Sequence, residues 1–351
     1  MRIAFVVPAP LTAVTGSAEY ARRITEAWRN AGHDVTVHEL DAALEQTGGQ
    51  PTVDSIFRTI DPTSAIVIDN QVLPLLAEHA DDLTDRHAFI LHHHPLGSET
   101  GLDPAESSKL SSLEHRLTKR ARHVVTTSNI TAATVAASFG LTTDHISVIE
   151  PGTPDAPRSE GSGPGTPTQV IAIGSLIPRK GHDVLMRALA RLFDLDWHLT
   201  IAGCADQDPA CVANLTALPA TLGIESRVTF LGALQGQTLA DLWRRADIFA
   251  LATHYEGYGM AIAEALKRGL PVAVCGGGAA GALITPGSGV VCPPGDVDQL
   301  SKALRRLLFD TTLRASYADA AWAIGQSLPD WSRQATAFAK VLETHAFAQD
   351  D

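Results

Sequence analysis

The feature of the 351-residue sequence that most constrains its fold is an alternation of short apolar segments with helical segments, which occurs twice. The apolar segments are rich in β-branched residues, and such strand–helix alternation indicates a parallel sheet covered by helices on both faces. The predicted strands are 3–7, 35–38, 65–68, 89–92 and 124–127 in the first half, and 170–173, 197–202, 228–231, 248–252 and 272–275 in the second. The predicted helices are 18–31 and 131–139, then 182–193, 210–222, 239–245, 260–268, 297–308, 313–325 and 332–344.

A polar segment separates the two halves. Residues 151–168 read PGTPDAPRSEGSGPGTPT, a composition that cannot pack a core and predicts an interdomain linker. We therefore predict an α/β chain with one doubly wound domain over 1–150, a second over 169–328 and a terminal helix within 329–351. Two such domains joined by a linker would face a central cleft, with ligands beyond the carboxyl ends of the strands.

Charge and composition exclude several classes of function. The chain has 27 Lys and Arg against 39 Asp and Glu, a net charge of −12, which disfavours nucleic acid and anionic lipid as partners. The basic run of Arg116, Lys119, Arg120 and Arg122 is interpreted as a solvated helix face. No apolar stretch is long enough for a membrane span. The four cysteines form no C-x-x-C pair, which is typical of a reduced, cytoplasmic chain. The sequence does not predict an oligomeric state.

The segment 251–274 carries the strongest functional signal. A predicted strand ends near Ala252, and Glu256-Gly257-Tyr258-Gly259 follows before a helix that begins at Met260. Glycine lets a backbone approach a ligand closely, and the free N–H groups at a helix N-terminus bind phosphate. A diphosphate is therefore expected on the amides near Gly259 and Met260.

Two glutamates of this segment are separated by eight residues. Eight helical steps of about 100° return a side chain to within about 80° of its starting direction. A carboxylate accepts hydrogen bonds, so we expect Glu264 to bind the vicinal hydroxyls of a ribose and Glu256 to bind those of a sugar. A buried carboxylate without donors costs on the order of 2–7 kcal/mol. Glu264 lies on a largely apolar helix, and this cost favours a functional role for it.

A second loop carries two adjacent cations. Residues 170–185 read VIAIGSLIPRKGHDVL, a strand that ends in Gly174, a loop with Arg179 and Lys180, and then a helix. A lysine in such a loop supplies a compact charge for a diphosphate. Arg179 is either a second cation of the same site or a solvated loop residue.

These two elements resemble a known family. EGYGMAIAEAL followed by GLPV is similar to the E-x7-E signature of retaining GT-B glycosyltransferases of family 4, or glycosyltransferase group 1, and the Lys180-Gly181 loop resembles the family's lysine element. The resemblance covers nearly the whole chain and is more specific in its C-terminal half.

The resemblance implies two Rossmann-like domains of the GT-B fold, with the acceptor in the first domain and a UDP- or GDP-type nucleotide sugar in the second. It implies retaining transfer of a hexose to a small-molecule or glycan acceptor, through an oxocarbenium-like transition state and without a metal or cofactor. Lys180, Glu256 and His93 are then catalytic. The donor-binding residues are Arg179, Gly257, Tyr258, Gly259, Met260, Glu264, Gly16 and Ser175. Ser175 stands where many family members have an arginine.

The N-terminal half matches the family at fewer positions. Gly16 corresponds to the glycine of its first loop, and Asp330-Trp331-Ser332 resembles its terminal element, whose helix crosses back to the first domain. The family often has a histidine at the end of the fourth strand, and His93, with His94 next, is the candidate in the run 92–94. The run also suggests a zinc site. Consecutive strand residues alternate faces, so only His92 and His94 share one, and no third ligand is evident. We therefore predict no metal.

Other functions are less favoured. CGGGAAG at 275–281 fits a dinucleotide fingerprint, which requires a helix directly after it, whereas Thr285-Pro286-Gly287 interrupts any helix there. A nucleotide-sugar epimerase or a phosphorylase on the same fold is one alternative. A non-catalytic sugar-nucleotide-binding protein is the other.

Overall fold

The computed structural model describes residues 1–41 and 53–346, which fall into two compact units. Unit 1 comprises Met1–Gly152 together with the C-terminal residues from Pro329 onward, and unit 2 comprises Thr153–Leu328. Each unit contains one parallel sheet and its covering helices.

The sheet of unit 1 has six strands in the order β2-β1-β3-β4-β5-β6. They are β1 (Arg2–Pro8), β2 (Asp34–Leu40), β3 (Ala65–Asp69), β4 (Phe89–His92), β5 (His123–Thr126) and β6 (Ile146–Val148). All neighbouring strands pair in parallel, for example Ile3 with Val35 on one side and with Ala65 on the other.

The sheet of unit 2 has six parallel strands in the order β12-β11-β10-β7-β8-β9. They are β7 (Thr168–Ile173), β8 (Trp197–Ala202), β9 (Val228–Phe230), β10 (Ile248–Leu251), β11 (Val272–Cys275) and β12 (Gly289–Cys292). All four residues of β10 are at most 1% exposed. Burial on both faces explains why its sequence, IFAL, is apolar throughout instead of alternating.

Helices alternate with the strands from β1 to β6 and from β7 to β11, and three consecutive helices follow β12. In unit 1 and the start of unit 2 they are α1 (Gly16–Asn30), α2 (Val53–Thr59), α3 (Ala80–Asp85), α4 (Pro104–Thr118), α5 (Asn129–Phe139) and α6 (His182–Ala190). The remaining ones are α7 (Pro209–Leu222), α8 (Gly236–Arg244), α9 (Met260–Lys267), α10 (Val297–Phe309), α11 (Thr311–Ser327) and α12 (Trp331–Ala346).

The strand order of each sheet reverses next to its first strand. β1 lies between β2 and β3, and β7 lies between β8 and β10. Loops that leave the carboxyl ends of two such strands part to opposite faces of the sheet, and ligands of doubly wound sheets bind in the crevice between them. The loops after β7 and β10 therefore mark the expected ligand site of unit 2, and those after β1 and β3 mark that of unit 1.

The predicted doubly wound architecture is confirmed, and each predicted strand is present, with its ends at most about two residues from the expected ones. Strands β6 and β12 and helices α2, α3 and α4 were not predicted. Strand β6 has three half-buried residues at the sheet edge, so it has no clear apolar pattern. Helix α4 buries only Glu114, Leu117 and Thr118, which leaves a weak apolar pattern, although Asp103 as its N-cap and Pro104 at its first turn are typical start signals.

The terminal helix α12 packs on unit 1. Trp28 Nε1 donates a buried hydrogen bond to the Ala335 carbonyl at 3.2 Å, and the ring of Trp331 packs edge-on against Tyr20 at 5.3 Å between centroids. A Cβ on Gly152 would lie 2.4 Å from the Trp331 nitrogen, so the Pro-Gly turn requires glycine where the two ends of unit 1 meet.

The segment predicted as a linker lies mostly along unit 2. Ser159 N donates to the Arg268 carbonyl at 2.9 Å, and Ser159 Oγ donates to the Ala246 carbonyl at 2.7 Å. Backbone and hydroxyl hydrogen bonds of this kind need no apolar side chains, so a segment without core residues is still held at defined positions.

The basic run lies at the C-terminal ends of two helices. Lys119 and Arg120 are exposed just beyond α4, and both line a groove of about 530 Å³ with Gly140, the C-cap of α5. Cations near helix C-termini stabilise the helix dipole. Arg116, Lys119 and Arg120 are exposed, as a solvated face predicts, whereas Arg122 is half-buried and its Nε donates to the His345 carbonyl at 3.1 Å.

Candidate functional site

The two loops at the strand-order reversal of unit 2 are joined through their backbones. His254 N, after β10, donates to the Arg179 carbonyl at 2.7 Å, and Thr253 Oγ1 lies 3.0 Å from the same oxygen. Gly181 ends the lysine loop with φ +60°, and a Cβ there would lie 2.1 Å from the Ala252 carbonyl oxygen. Glycine is therefore required at 181 for the loops to approach, and this approach brings Lys180 to the β10 loop.

Lys180 and Glu256 form the centre of the site. Lys180 Nζ donates to Glu256 Oε1 at 2.6 Å, and Thr253 Oγ1 lies 3.0 Å from the same oxygen. Arg179 Nη1 lies 3.7 Å from Glu256 Oε1 and donates to the Tyr255 carbonyl at 2.9 Å. The side chains of Lys180 and Glu256 are 15% and 9% exposed. The structure thus brings together three residues that the sequence analysis had assigned to one site.

Charge pairing determines the ionisation state of Glu256. Burial raises the pKa of its carboxyl, but the positive charges of Lys180 and Arg179 outweigh burial and hold the pKa below its usual value. Glu256 is therefore ionised at neutral pH and orients the Lys180 ammonium group. Within these three groups the cations exceed the carboxylate by one charge.

The glycine run 276–278 serves close packing. Glu256 N donates to the Gly277 carbonyl at 3.0 Å, and Ala279 N donates to the Glu256 carbonyl at 2.7 Å. A Cβ on Gly277 would lie 1.8 Å from the His254 carbonyl oxygen. Residues 276–288, all of which the structure describes, contain no helix, as expected. The segment that resembles a dinucleotide fingerprint instead holds the loop that carries Glu256.

Helix α9 begins at Met260, shortly after Glu256 in the chain, with Gly259 as its N-cap at φ +102°. No side chain in the described ranges 1–41 and 53–346 caps this end of the helix. The first N–H groups of a helix have no partner within it and attract anions with the help of the helix dipole. Tyr258 is 5% exposed and Gly257 precedes it, so the predicted residues 257–260 form a compact turn directly before the helix.

Glu264 lies in the second turn of α9. Its Oε2 is 3.8 Å from Arg268 Nη1, and its side chain is 24% exposed. The Arg268 guanidinium lies over the Trp243 ring at 4.7 Å, and burial lowers the pKa of Arg268. The Arg268 contact is made by the Glu264 carboxylate itself, whose side chain remains 24% exposed.

His182 is a residue of this site that the sequence analysis missed. Its ring is 1% exposed, and Nε2 lies 3.3 Å from the carbonyl oxygens of both Gly174 and Ser175. Burial lowers the pKa of His182 to about 4, so the ring is neutral and Nε2 carries the proton that it donates to them. His182 thus holds the turn at Ser175 in place. The motif Lys-Gly-His gave no sign of this, because the contact depends on how the loop folds back.

In unit 1, Gly16 starts α1 at the carboxyl edge of the sheet. Thr15 caps the helix by accepting from Ala18 N at 3.3 Å, and Ser17 Oγ donates to Gln71 Oε1 at 3.0 Å across the strand-order reversal. A Cβ on Gly16 would meet no described atom within 4 Å. Packing among the residues that the structure describes therefore does not explain this glycine.

The three histidines of 92–94 have three different surroundings. His92 is fully buried with Nε2 at 3.0 Å from Thr118 Oγ1, and burial lowers its pKa to about 3. His93 Nε2 lies 2.9 Å from Asp69 Oδ2, and His94 Nε2 lies 2.9 Å from Glu99 Oε2. Of the three, His93 is the one at the carboxyl edge that is only partly buried. Among the residues that the structure describes, no three His, Cys, Asp or Glu side chains converge as metal ligands would.

Glu114, behind these histidines, is a buried acid with an altered pKa. Burial raises its pKa from 4.5 to about 7. Hydrogen bonds from Asn70 Nδ2 and from the amides of Gly97 and Leu96 lower the pKa but do not outweigh burial. Because the folded-state pKa is above the unfolded one, the folded chain binds more protons between them. The contribution of Glu114 to stability is therefore full below about pH 4.5 and falls as the pH rises to about 7.

We expect Glu114→Gln to remove this pH dependence. The unfolding free energy of the wild type should decrease relative to that of the variant by about 3 kcal/mol from pH 4.5 to above 7. Urea unfolding of both proteins over this range measures the difference, in which the titration of all other groups cancels. A difference that does not change with pH would contradict the assignment.

Comparison with known proteins identifies unit 2. Residues 156–322 match the family model of glycosyl transferases group 1. Unit 2 is a group 1 glycosyl transferase domain. The group 1 part of the resemblance seen in the Glu256–Glu264 and Lys180 elements is thereby confirmed for this domain, which contains every candidate residue of unit 2, from Ser175 to Glu264.

Solved structures confirm the fold of the whole chain. Sucrose-phosphate synthase from Thermosynechococcus elongatus aligns over 98% of both chains with a TM-score of 0.81 and 18% identity. Anabaena HepE in complex with UDP-glucose aligns with 98% of this chain and 100% of its own, with a TM-score of 0.79 and 21% identity. The likeness shows the predicted fold, two Rossmann-like domains of the GT-B type.

Curated relatives match over part of their length. Mannosylfructose-phosphate synthase of Agrobacterium fabrum is 27% identical over 198 residues, which are 49% of this chain and 44% of the relative. The chain thus spans about half the length of the curated relatives it matches. None of the helices in the described ranges 1–41 and 53–346 has the length and apolar character needed to cross a bilayer.

Proposed function

We propose that the chain transfers a sugar from a nucleotide-sugar donor to a hydroxyl-bearing acceptor. The observation that carries this proposal is the position of the Lys180 ammonium group. It lies 2.6 Å from Glu256, whose loop leads directly to the uncapped start of α9. A cation and a set of free amides at a strand-order reversal suit a diphosphate.

The donor's diphosphate is the leaving group in this proposal. Negative charge grows on it as the glycosidic bond breaks, and an oxocarbenium-like centre forms on the sugar. Lys180, Arg179 and the amides near Gly259 and Met260 stabilise that charge, so the reaction needs no metal ion. Each preorganised donor of this kind contributes about 2.7–4 kcal/mol. We propose retention of configuration, with attack from the leaving-group side, on the basis of the family resemblance.

Glu256 has two roles in this proposal. Without a donor its carboxylate keeps the Lys180 ammonium in position, since the two atoms are 2.6 Å apart. With a donor bound, the diphosphate provides the countercharge for Lys180, and the Glu256 carboxylate accepts hydrogen bonds from hydroxyls of the sugar. The fixed position of Thr253 Oγ1, 3.0 Å from Oε1, limits how far the carboxylate moves.

The donor is proposed to be of the UDP or GDP type. The structure of HepE with UDP-glucose supports a UDP sugar, because that protein has the same fold. Unit 1 is proposed to bind a small-molecule or glycan acceptor, and its carboxyl edge contains the donor-binding candidate Gly16 and the catalytic candidate His93. A Cβ on Gly16 would meet no described atom within 4 Å, so glycine is not needed there for packing among the described residues. This supports a close approach of substrate to the backbone at Gly16.

A thermal-shift screen across nucleotide sugars, followed by product analysis, tests the proposal. A donor at about 100 times its Kd adds about 2.7 kcal/mol to stability and identifies the nucleotide. Transfer to an acceptor panel with the α-configuration of an α-donor preserved is the expected result. A change of the donor without an acceptor would indicate an epimerase. Phosphate-dependent cleavage would indicate a phosphorylase, and binding without turnover a non-catalytic protein.

Replacing Glu264 by alanine is expected to weaken donor binding more than turnover. A hydrogen bond from a ribose hydroxyl to a carboxylate contributes about 1.5–3 kcal/mol, so Kd should rise about 10–100-fold. Calorimetric titration of the nucleoside diphosphate alone measures this loss. Glu106→Ala, which removes an exposed glutamate from the first turn of α4, is the control and should keep wild-type affinity. Unchanged affinity in Glu264→Ala would remove the ribose assignment.

A further inference from the structure

A buried carboxylate holds His93 at the carboxyl edge of unit 1. Asp69 is the last residue of β3 and is 0% exposed. Its Oδ2 lies 2.9 Å from His93 Nε2, and its Oδ1 accepts from Gln71 N at 2.9 Å. Both carboxylate oxygens are therefore engaged, which fixes the orientation of the group toward the His93 ring.

This contact determines the tautomer of the ring. A carboxylate accepts hydrogen bonds and does not donate them, so the proton of a neutral His93 ring resides on Nε2. The other nitrogen, Nδ1, then carries a lone pair that accepts. Within the described part of the chain Nδ1 has no hydrogen-bond partner, and it is not among the buried polar atoms. The lone pair is therefore accessible from solvent.

Three further contacts hold His93 in place. Its backbone N donates to Asn70 Oδ1 at 3.3 Å, and its carbonyl accepts from Thr127 Oγ1 at 3.3 Å. The ring of Tyr20 packs edge-on against the imidazole at 5.2 Å between centroids. Two hydrogen bonds fix the His93 backbone, and Asp69 and Tyr20 contact the imidazole ring. The ring therefore presents Nδ1 in one direction, as a preorganised binding group requires.

We propose that Asp69 is a positioning residue, which holds His93 with its proton on Nε2 so that Nδ1 accepts a hydrogen bond from a substrate hydroxyl. The inference rests on the proposed function, because the hydroxyl group that donates to the Nδ1 lone pair belongs to a substrate of that reaction. It concerns Asp69, which neither composition nor motif singles out. It assigns the His93 ring as an acceptor toward substrate rather than a donor.

The tautomer is tested on the ligand-free protein by nitrogen-15 NMR of labelled histidine, with His93→Gln to assign the signals. The wild type is expected to show the Nε2–H form at His93. In Asp69→Asn, Oδ1 still accepts from Gln71 N, so the new amide faces Nε2 as a donor and should shift the ring to the Nδ1–H form. This readout does not depend on activity, and the wild-type measurement does not depend on how well the variant folds.

The role of the tautomer is tested by kinetics. Asp69→Asn is expected to lower kcat about 10–100-fold, the effect of losing a hydrogen bond and facing the hydroxyl with a donor. The affinity for the donor's nucleotide should be unchanged, because unit 2 binds it. Glu99→Gln is the matched control, since it alters the same type of carboxylate–histidine pair at His94, also 2.9 Å apart, and should keep the wild-type kcat.

Two results would overturn the inference. One is a wild-type ring with its proton on Nδ1, and the other is Asp69→Asn with the wild-type kcat. Both leave the proposed function intact. If the wild type transfers no sugar from any donor, the proposed function fails instead, and so does the substrate role of Nδ1, whereas the NMR measurement still shows whether Asp69 sets the tautomer.

Discussion

Lys180→Ala is expected to lower kcat for glycosyl transfer by about 10²–10³-fold, the loss typical of removing one preorganised donor from a developing negative charge. The effect falls on kcat because the charge on the diphosphate grows in the transition state. Steady-state kinetics with the donor identified by thermal shift measure it. A wild-type kcat in this variant would remove Lys180 from the mechanism.

A loss of folding must be separated from a loss of catalysis in this experiment. Removing Lys180 leaves Glu256, with a 9% exposed side chain, without the ammonium that lies 2.6 Å from it. Breaking a buried pair by deleting one partner costs about 3–5 kcal/mol of stability. Lys180→Arg is the matched variant, because it keeps the positive charge beside Glu256. It should retain the wild-type melting temperature more closely than Lys180→Ala and retain part of the wild-type kcat.

Gly181→Ala is expected to destabilise unit 2 strongly. Gly181 has φ +60°, a left-handed conformation that costs a residue with a side chain about 1–2 kcal/mol. Its Cβ would also lie 2.1 Å from the Ala252 carbonyl oxygen, and relieving such overpacking costs about 1–3 kcal/mol. The two terms predict a loss of about 2–5 kcal/mol in unfolding free energy. Any remaining folded protein should bind donor weakly, because the loops that carry Lys180 and Glu256 are moved apart.

Gly223→Ala is the matched control for that variant. Gly223 has φ +69° in the same unit, and a Cβ there would meet no described atom within 4 Å. Its unfolding free energy should fall only by the conformational cost of about 1–2 kcal/mol, and its donor affinity should equal that of the wild type. Urea unfolding of both variants measures the difference. Equal losses would show that the contact between the β7 and β10 loops does not matter.

Much of the fold was accessible from the sequence because it is encoded locally. Strand β10 is apolar over its four residues and buried, and helix α9 follows from the Gly259–Met260 boundary, so each element could be predicted by itself. Strand order was not predicted, since nothing within β7 shows that it pairs with β10, far later in the chain, as well as with β8. Strand β12, GVVC, was not predicted because it is a four-residue edge strand directly after the turn residues Thr285–Gly289, which made the whole segment resemble a loop.

The candidate site was likewise predicted only in part from the sequence. Lys180 and Glu256 were each assigned from their loops, but the 2.6 Å contact between them depends on the strand order. The close approaches at Gly181 and Gly277 could not be seen in the sequence, since they involve carbonyl oxygens of Ala252 and His254 from another loop. Asp69 was missed in unit 1 for the same reason. A carboxylate at the end of a strand gives no local sign that the adjacent strand places a histidine beside it.

The most direct test of the central claim is a crystal structure of the chain with UDP or GDP, whichever binds more tightly. The diphosphate is expected within hydrogen-bond distance, about 2.7–3.2 Å, of both Lys180 Nζ and the backbone N–H groups at Gly259 and Met260. A diphosphate bound elsewhere, out of hydrogen-bond reach of Lys180 Nζ, would contradict it.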